Sequence, residues 1–275
     1  MRKGFTLLEL VFVIVIFGIL SKFGADILYK IYENYVYSNT FNRLENQSEA
    51  AVKQIANRLQ YRIKDSTIAR DALNGSVEPI GSNTGNEIIL EWIGVDIDGW
   101  RGTTGNTNPD WSGFIDLQAS SIGSLNTPGT QLPTGSGALF FIGSDVDLSS
   151  NFGWTGAISD QTAAIHPVTI SGTSITSSNG DDFNGTDVYE YYQFSKTAYA
   201  VHLDGTDLKF YYEYQPWDGD NIDTPGVRSE ALIMENVSSF KFTSIGDILV
   251  IQVCVTDANV TGVGDYSVCK EKVVF

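Results

Sequence analysis

No proline occurs before Pro79, and no glycine lies between Gly24 and Gly75. Nothing in that stretch breaks a helix. Apolar residues recur there at Ile27, Ile31, Tyr35, Phe41, Leu44, Ala51 or Val52, Ile55, Leu59 and Ile63, the three-to-four spacing of a single buried stripe. Arg43, Glu45, Glu49, Lys53, Arg58 and Arg62 fill the other faces. The spacing predicts one helix from Phe5 to about Ala72, a rod of order 100 Å at ~1.5 Å per residue. Asn74-Gly75 is its stop signal, since both residues tolerate the left-handed backbone that ends helices.

The helix begins in an apolar run. After Met1-Arg2-Lys3-Gly4, residues Phe5 to Leu20 carry Glu9 as their one charge, and Phe23, Ala25, Ile27 and Leu28 continue the run past Lys22, which can snorkel to an interface. Arg2 and Lys3 keep the N-terminus in the cytoplasm under the positive-inside rule. A cleavable secretory signal is the competing reading, but Gly24 and Ala25 make a poor cleavage site for one. Glu9 is more telling. An ionised side chain at membrane depth costs a few kcal/mol or more and is retained for a partner, yet no Lys or Arg of the run can pair with it. Cleavage after Gly4 would place a new α-amino group on Phe5, at the right depth to neutralise Glu9 of the same or a neighbouring copy.

Gly4-Phe5-Thr6-Leu7-Leu8-Glu9 resembles the class III signal of type IV pilins and type II secretion pseudopilins. The resemblance implies cleavage by prepilin peptidase between Gly4 and Phe5, N-methylation of Phe5, and Glu9 as the assembly carboxylate. It further implies other pilin or pseudopilin subunits, an inner-membrane assembly platform and membrane lipid as partners. The protein would sit in the bacterial inner membrane, single-pass, with its head periplasmic until incorporated into a filament. Energy for extrusion would come from a separate ATPase, because no GxxxxGKS-type phosphate loop is present.

The chain of 275 residues divides unevenly by charge. Through Asp71 ten basic residues face seven acidic ones; beyond it seven face 26, so the parts carry +3 and −19. An acidic head with no basic groove is not built for a polyanion, and no nucleic acid is expected on it. The expected divisions are a leader at 1–4, a membrane segment at 5–28, the rest of the helix at 29–74 and a globular head at 75–275.

From Glu87 on, short β-rich runs alternate with Gly, Asn, Asp, Ser and Pro clusters. Strands are expected at Ile88–Asp96, Ala138–Ile142, Val188–Phe194, Ala198–Leu203, Leu208–Tyr214, Ser239–Thr243, Ile248–Val255 and Tyr266–Phe275, with turns at Asp204-Gly205-Thr206-Asp207 and Ile245-Gly246-Asp247. They make one meandering antiparallel sheet. The helix laid on it gives an α+β, lollipop-shaped fold in which each buries an apolar face the other needs. Two polar stretches, from Gly99 to Gly137 and from about Ser171 to Gly185, are expected as long loops. The order of the hairpin at Ala198–Tyr214, the segment Ala231–Phe242 and the run Ile248–Val253 resembles the C-terminal half of J-type minor pseudopilins and W-type minor pilins. That resemblance implies a tip or priming complex; the head here is larger.

Cys254 and Cys269 are the chain's two cysteines, on neighbouring expected strands outside the cytoplasm, where a structural bridge is allowed and a redox pair is the rival reading. No cofactor is expected, except that acidic clusters invite calcium, a hard cation that takes carboxylate oxygens in loops. Asp218, Asp220 and Asp223 are the best candidates, ahead of Asp96 with Asp98 and of Asp181 and Asp182 with Asp187; none completes a calcium-loop pattern. His166 and His202 lie near no nucleophile motif, and no catalytic residue is assigned. Tyr189, Tyr191, Tyr192, Tyr211, Tyr212 and Tyr214 fit either strand packing or a binding stripe. A structural subunit is thus the leading reading, and a tip adhesin or ligand-binding head on a pilin helix the alternative.

Overall fold

The computed structural model describes residues 6–82, 85–97, 114–128, 135–144, 152–180, 182–224, 226–257 and 267–275. Helix α1 spans Leu7–Leu59. It stops well short of Ala72, and hydrogen bonds outside the helix explain why. Arg62 Nη1 donates to the Leu59 carbonyl at 2.9 Å, which occupies a terminal acceptor. The chain then joins a strand: Ile63 N donates to Ile93 O, and Val95 N to Tyr61 O. A 3-10 turn at Lys64–Ser66 leads into the β-branched pair Thr67-Ile68 and the first strand.

Among the described residues fourteen strands follow the helix. They are β1 Ile68–Arg70, β2 Glu78–Pro79, β3 Ile89–Gly94, β4 Ser124–Asn126, β5 Gly135–Phe141, β6 Ile165–Ser171, β7 Ser174–Ser177, β8 Tyr192–Ser195, β9 Thr197–Asp204, β10 Asp207–Tyr214, β11 Ser229–Met234, β12 Val237–Ile245, β13 Ile248–Thr256 and β14 Ser267–Val274. They form three antiparallel sheets, not one meander: six strands ordered β11-β10-β9-β3-β1-β2, three ordered β12-β13-β14, and five ordered β4-β7-β6-β5-β8. Strand β3 pairs directly with β9, from Ile89 opposite His202 to Gly94 opposite Thr197. The whole five-stranded sheet is therefore an excursion between two adjacent strands. The polar stretches expected as loops supply parts of it, β4 from the first and β7 from the second. Strand β6 is hidden in the sequence by Pro167, which sits where β7 ends, its carbonyl accepting from Ser178 N.

Strand β3 explains the layering, because it is apolar on both faces. Leu90 and Trp92 join a core made by Leu44, Ala51, Val52, Ile55 and Leu59 of α1 with Phe240, Phe242, Ile251 and Val253 of the three-stranded sheet. Ile89 and Ile93 face the other way, into a second core with Phe140, Phe152, Ile165 and Trp217. A third core, built on Phe141, Val168, Ile170 and Phe194, closes the far side of the five-stranded sheet. A strand buried on both faces needs a layer on each. The α+β arrangement of one long helix with antiparallel sheets holds, with one layer more than a lollipop requires.

Candidate functional site

The N-terminal turn of α1 is built by a capping box. Thr6 is the N-cap; its Oγ1 accepts from Glu9 N at 3.4 Å, while Glu9 Oε2 accepts from Thr6 N and from Thr6 Oγ1, each at 3.1 Å. The Thr-x-x-Glu spacing that produces this is legible in the sequence, although the expected role of Glu9 concerned only charge. Glu9 is held within its own first turn by two donors. Gly4 and Phe5, the expected cleavage pair, lie outside the described residues.

Every residue from Leu7 to Tyr32 is exposed on the chain by itself. From Leu7 to Leu28 the helix rises ~33 Å, about the thickness of a bilayer's hydrocarbon core, and it is long and apolar enough to cross a membrane. Tyr29, Tyr32 and Tyr35 follow at 65%, 67% and 66% exposure. Burial begins at Leu44 and runs through Ser48, Ala51, Val52, Ile55, Ala56 and Leu59. The helix thus has an apolar half that the head does not cover and a half that the head buries, with Lys270 on Glu45 at 2.5 Å and Arg43 on Asp257 tying the two together.

Cys254 and Cys269 stand opposite each other in the β13–β14 register, Cα atoms 4.0 Å apart, and form a disulfide. A bridge closing a loop of this size contributes about 3 kcal/mol on the chain-entropy estimate.

The calcium candidates are not brought together. Among the described residues no group of three His, Cys, Asp or Glu side chains is placed to hold a metal ion. Asp220 Oδ2 accepts from Gln215 N at 2.9 Å, serving the turn in which Pro216–Asp218 forms a 3-10 helix, and Asp223 meets Thr224. Burial, then the neighbouring Asp220, raises the Asp218 pKa. Asp96 pairs with Lys196 at 2.8 Å; Asp98 and Asp181 lie outside the described residues. The tyrosines divide: Tyr192, Tyr211 and Tyr214 are core, while Tyr191 is exposed against Phe114.

Both histidines are buried. His166 sits between Phe141 and Phe183, with Nδ1 2.7 Å from Gln161 Oε1, and burial pushes its pKa down to about 4. His202 lies 3.3 Å from the Tyr211 hydroxyl, also with a pKa lowered by burial.

The sequence reading missed a buried ionic cluster between the six-stranded sheet and the excursion. Arg70 Nε donates to Glu91 Oε2 at 2.6 Å, Tyr214 donates to Glu91 Oε1 at 2.9 Å, and the Arg70 guanidinium also reaches the carbonyls of Gly75 and Trp154. Burial raises the Glu91 pKa, and Arg70 pulls against it; burial and then Glu91 raise that of Tyr214 well above the usual phenol value. The Trp154 indole donates to Ser66 O in the same region. The signal was a lone Glu within the apolar run Ile88–Ile93. The cluster is enclosed, Glu91 being 1% exposed, and its chemistry is that of a clamp between layers.

Residues 1–21 match the family model of the prokaryotic N-terminal methylation motif. No curated protein and no solved structure matches the chain. The matched segment includes the capping box and the start of the uncovered apolar helix, which supports a membrane-anchored, type IV pilin-like or pseudopilin subunit with a structural role.

Proposed function

We propose that the protein is a minor pilin or pseudopilin, a structural subunit of a type IV pilus, a DNA-uptake pilus or a type II secretion pseudopilus, placed in a tip or priming complex. One observation carries the reading. The methylation motif opens onto a helix whose first half is apolar, uncovered by its own head, and charged only at Glu9 before Lys22. Prepilin peptidase cuts between Gly4 and Phe5, the new amine is methylated, and the chain waits in the inner membrane with its head outside the cytoplasm. Glu9, held meanwhile by Thr6, exchanges those donors for the Phe5 amine of a neighbouring subunit as helices bundle. The order of the C-terminal elements favours a J-type or W-type subunit.

The test is peptide mass spectrometry of the N-terminus in the native membrane, for the natural chain and for Glu9→Ala. A mature start at Phe5 with one added methyl group, together with a Glu9→Ala chain that is cleaved but stays out of filaments, is the expected result. An intact Met1 or a start near Ala25 overturns it.

The inserted five-stranded sheet favours a second reading, a ligand-binding or adhesive tip, because an added layer is not needed to cover the helix. Binding of a glycan or other external surface by the full-length chain, rather than of partner subunits, would select it.

A further inference from the structure

The tripeptide Asn-x-Ser/Thr, with x other than proline, occurs in the sequence at Asn46, Asn74, Asn184, Asn236 and Asn259. It is the acceptor pattern for N-linked sugar, a bulky group that only a surface position can carry. Both the amide and the hydroxyl two residues on must reach a transferase, so the backbone between them has to be open. The fold sorts the candidates on that ground. At Asn46 the pattern lies inside α1, where Ser48 is fully buried and its Oγ donates to the Glu45 carbonyl at 3.0 Å. At Asn236 it is tied into the sheets: Asn236 O accepts from Thr256 N, Val237 is buried, and Ser238 Oγ donates to Cys254 O at 3.2 Å. At Asn74 the middle glycine is held from two sides, its N donating to Ala72 O and its carbonyl accepting from Arg70 of the buried clamp at 3.0 Å. Asn259 lies outside the described residues.

Asn184-Gly185-Thr186, in the connection between β7 and β8 on the inserted layer, is different. Phe183 is buried against Phe141 and His166 and pins the connection from below. Asp182 and Phe183 take φ values of 52 and 60, a backbone that is costly for a phenylalanine and is kept only where its surroundings impose it. The chain then turns: Thr186 N donates to Phe183 O at 3.4 Å, and Gly185, at φ 82, takes the third position, which calls for a positive φ. Asn184 and Gly185 are the exposed corner of this turn. Among the described residues no group bonds to the Asn184 side chain. An open hollow of about 490 Å³ lies beside it, lined by Ile122, Asp182 and Phe183 among others. Ile122 is 92% exposed there, an apolar wall for the C–H face of a sugar ring.

We propose that Asn184 is an N-glycosylation site. A separate transferase joins Asn184 Nδ2 to the anomeric carbon of an oligosaccharide carried on a polyprenyl diphosphate. The C–N bond forms as the C–O bond to the phosphate breaks, the diphosphate leaves with the electron pair, and the amide proton passes to a base of the transferase. Thr186 supplies the hydroxyl that orients the amide. Asp182, exposed two residues before the acceptor and outside every described ion pair, supplies a charge for the transferase to read. The inference rests on the subunit reading above, which puts the head outside the cytoplasm; the Cys254–Cys269 bridge fits the same oxidising compartment.

The test is glycopeptide mass spectrometry of the full-length chain from its native membrane. A carbohydrate mass is expected on the peptide that contains Asn184, absent from Asn184→Gln and Thr186→Val and retained in Thr186→Ser and Asn74→Gln. The serine variant separates loss of the hydroxyl from disturbance of the turn. Asp182→Asn, which keeps a residue that tolerates the left-handed backbone, should lower occupancy about fivefold. A bare Asn184, or sugar on Asn74 or Asn259 with none on Asn184, overturns the proposal, and occupancy indifferent to Asp182→Asn overturns the role given to that carboxylate. The N-terminal peptide of the same sample keeps the two readings apart. Methylated Phe5 with a bare Asn184 overturns the sugar site alone, an intact Met1 with sugar on Asn184 overturns the subunit reading alone, and an intact Met1 with a bare Asn184 overturns both.

Discussion

Glu91 shows how much one side chain decides. Both of its oxygens are engaged, by Arg70 at 2.6 Å and Tyr214 at 2.9 Å, in a site from which water is excluded. Removing one partner of a buried pair strands the other charge, at a cost of about 3–5 kcal/mol, whereas replacing both with apolar groups is often neutral. Glu91→Gln should therefore lower the stability of the full chain in detergent by about 3 kcal/mol, near the lower end because the amide still accepts from Tyr214. The double change Arg70→Met with Glu91→Leu should recover most of the loss. Urea unfolding midpoints check both, and a double variant weaker than the single one would show that the pair is more than a clamp. Arg62 acts similarly at smaller scale, ending α1 by occupying the Leu59 carbonyl and reaching Asp247 O at 2.8 Å.

At the level of elements, the meander β12-β13-β14 carries the buried half of α1. Its inner face supplies Phe240, Phe242, Ile251 and Val253 to the helix core, and Lys270 of β14 meets Glu45 of the helix. The Cys254–Cys269 bridge sits in the middle of this support. Cys254→Ser with Cys269→Ser should cost about 3 kcal/mol. Because β14 is the sheet's edge beside the helix, the loss should show first as faster amide exchange in Ser267–Val274 and in α1 from Leu44 on, with the five-stranded sheet unchanged. Uniform acceleration across all three sheets would mean that the layers unfold as one unit.

The whole molecule is stacked in layers whose stabilities respond differently to acid. His166 lies against the outermost core, hydrogen-bonded to Gln161, with its pKa down to about 4 from an ordinary 6.5. The unfolded chain therefore binds the extra proton between those values, so stability is full above pH 6.5 and is lost as pH falls toward 4, by about 3 kcal/mol for this group. The His166 contribution is isolated by comparison with His166→Gln, whose unfolding midpoint between pH 7 and pH 4 should fall less than that of the natural chain. Equal slopes would mean that the ring is already charged in the fold.

Local chemistry determined the N-terminal helix. An apolar run with one carboxylate, a Thr-x-x-Glu start, no Pro before Pro79 and no Gly between Gly24 and Gly75 make a helix whose first part is apolar whatever surrounds it, because the helix's backbone bonds are satisfied within itself. The hairpins β9–β10 and β12–β13 were legible for a similar reason, with turn residues between alternating apolar runs. The end of α1 was not legible, because residues 60–70 have helical composition and were claimed by the edge of β3 through Ile63 and Val95. Nor was the pairing of β3 with β9 across about a hundred residues, the strand containing Pro167, or the cluster of Arg70, Glu91 and Tyr214. Each depends on which distant segment supplies a partner, and only the tertiary structure, by burying both faces of β3, decided that.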